Sequence, residues 1–232
     1  MSDVSTDMVW IPLESNPDVM NVFLHELGVP KKVQVVDVYS LDPEMLALVP
    51  QPALALLLLF PCDDKYEQHK SQQEKEIRER GQEISSKLYF LKQYVHNACG
   101  TIALIHSIAN LDSIELGDGH LKQFLDDSKN LSPEKRGELL QKCEGIINTH
   151  KDVASTGQTA PPDLYEPVPY HFVAFVHKDG CLYELDGRKE FPVNHGKSSE
   201  ETFLHDAAEV CRTYMSRNPE NVNFTVVAIT AE

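Results

Sequence analysis

The sequence lacks the patterns that characterise disulfide-stapled and metal-binding proteins. It has five cysteines among 232 residues, an odd number, at wide spacings and with no CxxC pair. None of the ten histidines lies four residues from another, so the usual arrangement of a helical zinc site is missing as well. We therefore expect neither a disulfide framework nor a zinc site, and we expect the thiols to belong to a reducing compartment.

Long apolar runs and an excess of basic residues are also missing. The longest apolar run, residues 53–60, is much shorter than the roughly 20 residues that a helix needs to cross a bilayer. The first ten residues lack the charged and apolar regions of a signal peptide. With 21 basic and 36 acidic residues the chain has a formal charge of −15, which argues against binding to a phosphate backbone. We expect no membrane or nucleic-acid partner and a cytoplasmic location, with the nucleus as an additional one.

Hydrophobic spacing and turn signals predict helices mainly in the first two thirds of the chain and strands mainly in the last third. The predicted helices cover residues 18–27, a short turn from 42, 99–110, the region from 121 to about 148, and 199–216. The predicted strands cover residues 33–39, 53–60, 171–177, 182–186, 192–195 and 224–230. This order predicts an α+β fold in one domain, residues 1–232, with a mostly antiparallel sheet flanked by helices.

Two polar stretches interrupt this pattern. Residues 64–83 are so rich in charge that they predict a solvated helix or a mobile excursion. Residues 150–169 contain four prolines and several small polar residues, which predicts a long loop. Loops of that length inside a compact domain are usually either functional or disordered.

Cys99 lies at the junction between a polar turn and an apolar run. A thiol at a helix N-terminus has a lowered pKa, because the unpaired N–H groups and the helix dipole stabilise the thiolate. The adjacent Gly100 would let a substrate approach closely. Most buried cysteines are inert packing residues, however, and the other four cysteines fit that interpretation. Cys99 taken alone is either an ordinary junction residue or a nucleophile.

A histidine and a carboxylate that could activate this thiol come from one predicted hairpin. If Asp179 and Gly180 form its turn, the numbers of opposing residues sum to 359, so that residue 173 faces Asp186. His171 then lies diagonally opposite Asp186 on the same face of the sheet, within reach of a hydrogen bond. Glu184 shares that face but lies further from His171, which makes it the weaker partner.

Three motifs together resemble the ubiquitin C-terminal hydrolase family of cysteine proteases. They are QYVHNACG at 93–100, HFVA at 171–174 and LDGRK at 185–189. The resemblance extends over essentially the whole chain, from WIPLESNP at 10–17 to FPVNHG at 191–196. It is closest to the short members that consist of the catalytic domain alone.

The resemblance implies a papain-like α/β/α architecture with a knotted backbone and a Cys/His/Asp triad. On the matching positions Cys99 is the nucleophile, His171 is the general base and acid, and Asp186 orients His171. Gln93 would donate its side-chain amide to the oxyanion, and loss of such a donor would lower the rate by about 10²–10³. No metal or cofactor is required for this chemistry.

The resemblance also implies that the substrate is ubiquitin, with a ubiquitin-like modifier as the second candidate, and that small or unstructured adducts leave from its C-terminal glycine. Residues 150–169 would be the active-site crossover loop, which arches over the cleft and restricts the leaving group. The net negative charge suits the arginine-bearing tail of ubiquitin. We expect a monomer. The residues implied to contact ubiquitin are Glu14, Ser15, Asn16, Pro17, Asp18, Ala154, Ser155, Thr156, Gly157, Gln158, Thr159, Ala160, Pro161, Asn221, Val222, Asn223, Phe224, Thr225 and Val226.

Two other functions remain open. The same three residues could serve a different papain-like enzyme, such as an acyl transferase or a transglutaminase, that needs no ubiquitin. Alternatively, the chain could be a ubiquitin-binding module without activity, because catalytic residues of a free enzyme can be out of line.

Overall fold

A computed structural model describes residues 9–159, 162 and 168–231 of the chain. Its helices are α1 Pro17–Glu26, α2 Pro43–Leu46, α3 Asp64–Arg80, α4 Cys99–Ala109, α5 His120–Ser128, α6 Pro133–Leu140, α7 Glu144–Ala154 and α8 Phe203–Arg217. Its strands are β1 Val33–Asp37, β2 Ala53–Pro61, β3 Tyr170–Lys178, β4 Cys181–Leu185, β5 Val193–Lys197 and β6 Thr225–Ala231.

The six strands form one antiparallel sheet in the order β1-β6-β2-β3-β4-β5. Both faces of the sheet are packed against helices. The apolar run of β2 supplies side chains to both, because successive side chains of a strand point to opposite sides. Leu57 packs on one face in a cluster with Ile105 of α4. Leu56 packs on the other face in a cluster with Phe203 of α8. The α+β fold with helices on both sides of an antiparallel sheet is therefore confirmed.

The local sequence accounts for where the helices begin. Asn16 caps α1, since its side-chain oxygen accepts a hydrogen bond of 2.9 Å from the Asp18 backbone N–H, and Pro17 fits the first helical position. Ser132 and Pro133 start α6 in the same way. Residues 100–108 of α4 are buried on all sides, as expected of an apolar helix beneath a sheet.

Two predictions on polar stretches need correction or refinement. The predicted loop at 150–169 begins too early, since α7 continues to Ala154. The helix persists because Ile146, His150 and Val153 keep a buried face at helical spacing. Residues 64–80 are a helix and not a mobile excursion, and this helix buries Tyr66 and Ile77 while the rest is largely solvated.

The structure also bears on membranes and metals. Within the described ranges, no helix combines the length and the apolar character that a bilayer span requires. In the same ranges, no group of three or more His, Cys, Asp or Glu side chains is arranged to hold a metal ion.

Candidate active site

Cys99 is the first residue of α4, and the residue as a whole is partly buried. The turn before it is tight, because Asn97 adopts the left-handed conformation with φ of 62°. The cap residue Ala98 carries no side-chain acceptor, so the first N–H groups of α4 remain available to a negative charge. The neighbouring Gly100 has a different role from the one predicted. A Cβ atom there would lie 3.0 Å from Leu13 Cβ, so the glycine permits close packing in the protein interior.

His171 lies on β3 and Asp186 directly follows β4. The observed pairs of these strands, from Ala174 with Leu185 to Lys178 with Cys181, have numbers that sum to 359 as predicted. His171 Nε2 donates to Asp186 Oδ1 over 2.7 Å. Both side chains are buried, with exposed fractions of 1% and 0%. The sequence therefore predicted the register and the diagonal contact correctly.

Asp186 has two further donors that the sequence did not reveal. The Arg188 backbone N–H donates to Asp186 Oδ1 over 2.9 Å, and the Tyr66 hydroxyl donates to Oδ2. Tyr66 belongs to α3, 120 residues away along the chain. The available signal was that Tyr66 is the only aromatic residue within the polar stretch 64–83.

Burial disfavours the charged forms of Cys99 and His171, but the interaction of Cys99 with His171 and that of His171 with Asp186 outweigh burial. The hydrogen bond and the charge of His171 hold the pKa of the Cys99 thiol below its usual value. The charge and the hydrogen bond of Asp186 raise the pKa of His171 to about 9 despite desolvation. The pKa of Asp186 is in turn lowered, because its contacts with His171 exceed the cost of burial. These shifts favour a thiolate–imidazolium pair at neutral pH.

Gln93 is fixed against the loop that carries Asp186. Its backbone N–H donates to Gly187 O over 2.9 Å, and a Cβ on Gly187 would lie 3.0 Å from Gln93 Cβ, so a side chain at position 187 would crowd Gln93. Gln93 Nε2 donates one hydrogen to Val95 O over 3.1 Å. Because an amide carries two N–H groups, one N–H of Gln93 has no hydrogen-bond partner among the described residues.

The segment before α1, residues 10–15, forms one wall of the cleft beside Cys99. The Trp10 backbone N–H donates to His96 O over 3.1 Å, and Asn97 Nδ2 donates to the Trp10 backbone carbonyl over 3.1 Å. The buried His150, which the sequence analysis assigned to a loop, donates from Nε2 to Ile11 O over 2.7 Å. This wall is thus tied both to the turn before Cys99 and to α7.

Cys99 lines a cleft of about 400 Å³. Five residues predicted to contact ubiquitin line this cleft with it: Glu14, Ser15, Ala154, Gly157 and Thr159. The Glu14 carboxylate accepts from the backbone N–H groups of Gln158 and Thr159 over 2.9 Å and 3.3 Å, and these bonds hold its pKa below the usual value against the effect of burial. The predicted contacts Ala160 and Pro161 lie outside the described residues.

The last predicted contact set, residues 221–226, does not line the Cys99 cleft. Phe224, Thr225 and Val226 line a separate groove of about 540 Å³ together with residues 37–42 and two side chains of α8. Val222 beside it is 83% exposed. The sequence analysis missed the contribution of residues 37–42, because nothing in the pattern shows that β1 neighbours β6.

A second buried carboxylate lies two residues before Asp186. Glu184 accepts from Tyr214 Oη over 2.7 Å and from His195 Nε2 over 2.8 Å, and it forms an ion pair with Lys189. Lys189 Nζ also donates to Gln73 Oε1 of α3 over 2.7 Å. The charges of Lys189 and His195 hold the pKa of Glu184 well below its usual value, although burial opposes this. Glu184 is thus a member of a network distinct from the His171 pair.

Comparison with known proteins adds independent information. The family model described as ubiquitin carboxyl-terminal hydrolase, family 1, matches residues 10–216. A ubiquitin carboxyl-terminal hydrolase of Drosophila melanogaster is 46% identical over 224 residues, which cover 97% of this chain and 98% of the relative. The human ubiquitin carboxyl-terminal hydrolase isozyme L1 is 47% identical over 220 residues, which cover 94% of this chain and 96% of that protein.

The fold is also found among solved structures. The catalytic domain of Trichinella spiralis UCH37, bound to ubiquitin vinyl methyl ester, superposes with a TM-score of 0.75 at 24% identity, covering 96% of this chain and 95% of that chain. At this identity the likeness bears on the fold. With the family match and the curated relatives, it leads to one conclusion: the chain belongs to family 1 of the ubiquitin carboxyl-terminal hydrolases.

Proposed function

We propose that this deubiquitinating hydrolase uses Cys99, His171 and Asp186 to release small or unstructured groups from the C-terminal glycine of ubiquitin. The observation that carries the proposal is the buried His171–Asp186 contact of 2.7 Å. The interaction with His171 lowers the pKa of the Cys99 thiol at the N-terminus of α4, and Cys99 lines a cleft.

The chemistry follows from the positions of these groups. The Cys99 thiolate attacks the carbonyl carbon of the terminal glycine, and the oxygen gains negative charge that the Gln93 amide and the Cys99 N–H stabilise. His171 donates its proton to the departing amine or thiol as the tetrahedral adduct collapses to a thioester. His171 then takes a proton from water as the water oxygen attacks the thioester carbonyl, and collapse of this second adduct releases the glycine carboxyl group and restores the Cys99 thiolate beside the protonated His171.

The cleft supports a preference for a slim, cationic substrate tail. Glu14 is an acidic side chain in its wall, and the overall charge of −15 favours the approach of a basic partner. Residues 155–159 follow α7, and Gly157 and Thr159 line the same cleft. Gln158 and Thr159 donate hydrogen bonds to the Glu14 carboxylate. We propose that this stretch limits the width of the leaving group, and that ubiquitin-like modifiers with a similar tail are secondary substrates.

The two alternatives receive less support. A binding module with a misaligned site would not require the contact between His171 and Asp186 or the lowered thiol pKa. A papain-like acyl transferase would share both features, so substrate specificity must separate it from a ubiquitin hydrolase.

The experiment is turnover of ubiquitin carrying a fluorogenic amide at its C-terminal glycine. We expect hydrolysis by the unmutated chain and loss of turnover by several orders of magnitude in Cys99→Ala, with binding of ubiquitin retained in a titration. Cys143→Ala is the matched control, because this thiol lies before α7 and should leave the rate unchanged. Binding without turnover by the unmutated chain would contradict the proposal and favour the module.

A further inference from the structure

The Asp186 carboxylate has a distinct set of donors at each of its two oxygens. Oδ1 accepts from His171 Nε2 over 2.7 Å and from the Arg188 N–H over 2.9 Å. Oδ2 accepts from the Tyr66 hydroxyl. The side chain is fully buried, where an ionised oxygen without a donor is costly. The orientation of this carboxylate therefore depends on the donor at Oδ2 as well as on the two donors at Oδ1.

Tyr66 is itself rigidly placed. Its backbone N–H donates to the side chain of the cap residue Asp63 over 3.0 Å at the start of α3. Its ring packs against Phe60 and His171 with centroid distances of 5.0 Å and 5.9 Å, and only 4% of the residue is exposed. The hydroxyl thus reaches Asp186 from a side chain that has little freedom to move.

We infer that Tyr66 is a positioning residue for the hydrolytic reaction: its hydroxyl fixes the rotation of the Asp186 carboxylate, so that Oδ1 remains directed at His171 Nε2. The imidazole is then oriented with its other nitrogen toward Cys99. The inference rests on the proposed roles of Cys99, His171 and Asp186. Tyr66 does not touch the substrate in this view, and it acts only through Asp186.

Tyr214 provides a matched control within the same aromatic cluster. Its ring also packs on Phe60, with a centroid distance of 4.8 Å, and it is also 4% exposed. Its hydroxyl donates to Glu184 Oε1 over 2.7 Å, however, and not to Asp186. Replacing either tyrosine by phenylalanine removes one buried hydroxyl from one buried carboxylate and leaves the ring in place.

The test measures kcat and KM of Tyr66→Phe and Tyr214→Phe on the fluorogenic ubiquitin amide, with melting temperatures recorded alongside. We expect Tyr66→Phe to lower kcat about tenfold with little change in KM, since a hydrogen bond to a charged group is lost from the catalytic pair and not from the binding surface. Tyr214→Phe should lower the melting temperature by a similar amount and leave kcat unchanged.

A double-mutant cycle distinguishes positioning from packing. In the Asp186→Asn background the orienting carboxylate is gone, so adding Tyr66→Phe should change kcat by less than about twofold. A tenfold loss that persists in that background, or a Tyr66→Phe enzyme with unchanged kcat, would overturn the inference. An unmutated chain without turnover would instead contradict the proposed function, so the two failures are distinguishable.

Discussion

The two buried carboxylates at the end of β4 have similar surroundings and different roles. Glu184 and Asp186 each accept from a histidine Nε2, over 2.8 Å and 2.7 Å, and each accepts from a tyrosine hydroxyl. The two carboxylates differ in the cationic side chain that binds each of them. Glu184 forms an ion pair with Lys189, whereas among the described residues the side chain of His171 is the one cationic group that hydrogen-bonds to Asp186.

This difference explains why only one of the two histidines is suited to acid–base chemistry. The charge of Lys189 is the main interaction that lowers the pKa of Glu184, ahead of the contacts with His195. The charge of His171 is the main interaction that lowers the pKa of Asp186, ahead of that of Lys189, and the charge of Asp186 in turn raises the pKa of His171 to about 9. Position then completes the distinction, because it is His171 whose interaction lowers the pKa of the Cys99 thiol.

The largest expected effect compares the two carboxylates directly. Asp186→Asn should lower kcat by about 10²–10⁴, because the amide no longer selects the tautomer and orientation of His171. Glu184→Gln should leave kcat of the folded enzyme within about twofold of the unmutated value, since it touches neither His171 nor Cys99. Steady-state kinetics on the fluorogenic ubiquitin amide measure both. Equal losses in the two variants would show that the networks act as one unit.

The stability of the two variants should rank in the opposite order. Glu184→Gln leaves the buried Lys189 ammonium without its counter-charge, which should lower the free energy of unfolding by about 3–5 kcal/mol. Adding Lys189→Met should recover part of that loss, because the uncompensated charge is removed. Urea unfolding followed by fluorescence tests this. A double variant that is less stable than Glu184→Gln would refute the assignment of Lys189 as the compensating charge.

A smaller effect is expected on the pH dependence of activity, which should change in Asp186→Asn and not in Glu184→Gln. Activity should fall as pH rises through about 9, where His171 loses its proton, and it should fall on the acid side as Cys99 becomes protonated. Asp186→Asn should move the basic limb down toward the ordinary histidine pKa of about 6.5, whereas Glu184→Gln should leave it in place. The measurement is kcat/KM between about pH 5 and about pH 10. A basic limb unaffected by Asp186→Asn would contradict the cause assigned to the raised pKa.

The same pKa shift has a consequence for folding. Because the pKa of His171 is raised in the folded state, its ionisation contributes stability that is fully present below the unfolded value of about 6.5. That contribution is lost as pH rises through about 9. Asp186→Asn should remove this part of the pH dependence.

The His171–Asp186 contact could be predicted from the sequence because the position of one turn sets the register of β3 against β4. Once Asp179 and Gly180 are the turn residues, the period of two in each strand assigns every side chain to a face. The side chain of Glu184 was likewise assigned to the correct face. Its actual partners could not be predicted, because Lys189 lies beyond the strand and His195 lies on β5.

Tyr66 illustrates what local pattern does not contain. A helix that is polar on almost all sides has no apolar stripe to show how it docks, and the contact with Asp186 joins residues 120 positions apart. The extra turns of α7 were missed for a simpler reason. Small polar residues and prolines after residue 154 lowered the helical signal of the whole stretch, although the buried face continued through His150 and Val153.

The location of the two halves of the site affects how the enzyme loses activity. His171 lies on β3, which is paired with β2 on one side and β4 on the other, and such strands exchange their amide hydrogens only on global unfolding. Residues 93–98, which lead to Cys99, lie outside the named helices and strands, but Val95 and Ala98 are buried in the core and the backbones of Gln93 and His96 are hydrogen-bonded to Gly187 and Trp10. Under rising denaturant the turn before Cys99 should therefore be lost together with the sheet that carries His171, and the loss of catalysis should coincide with global unfolding.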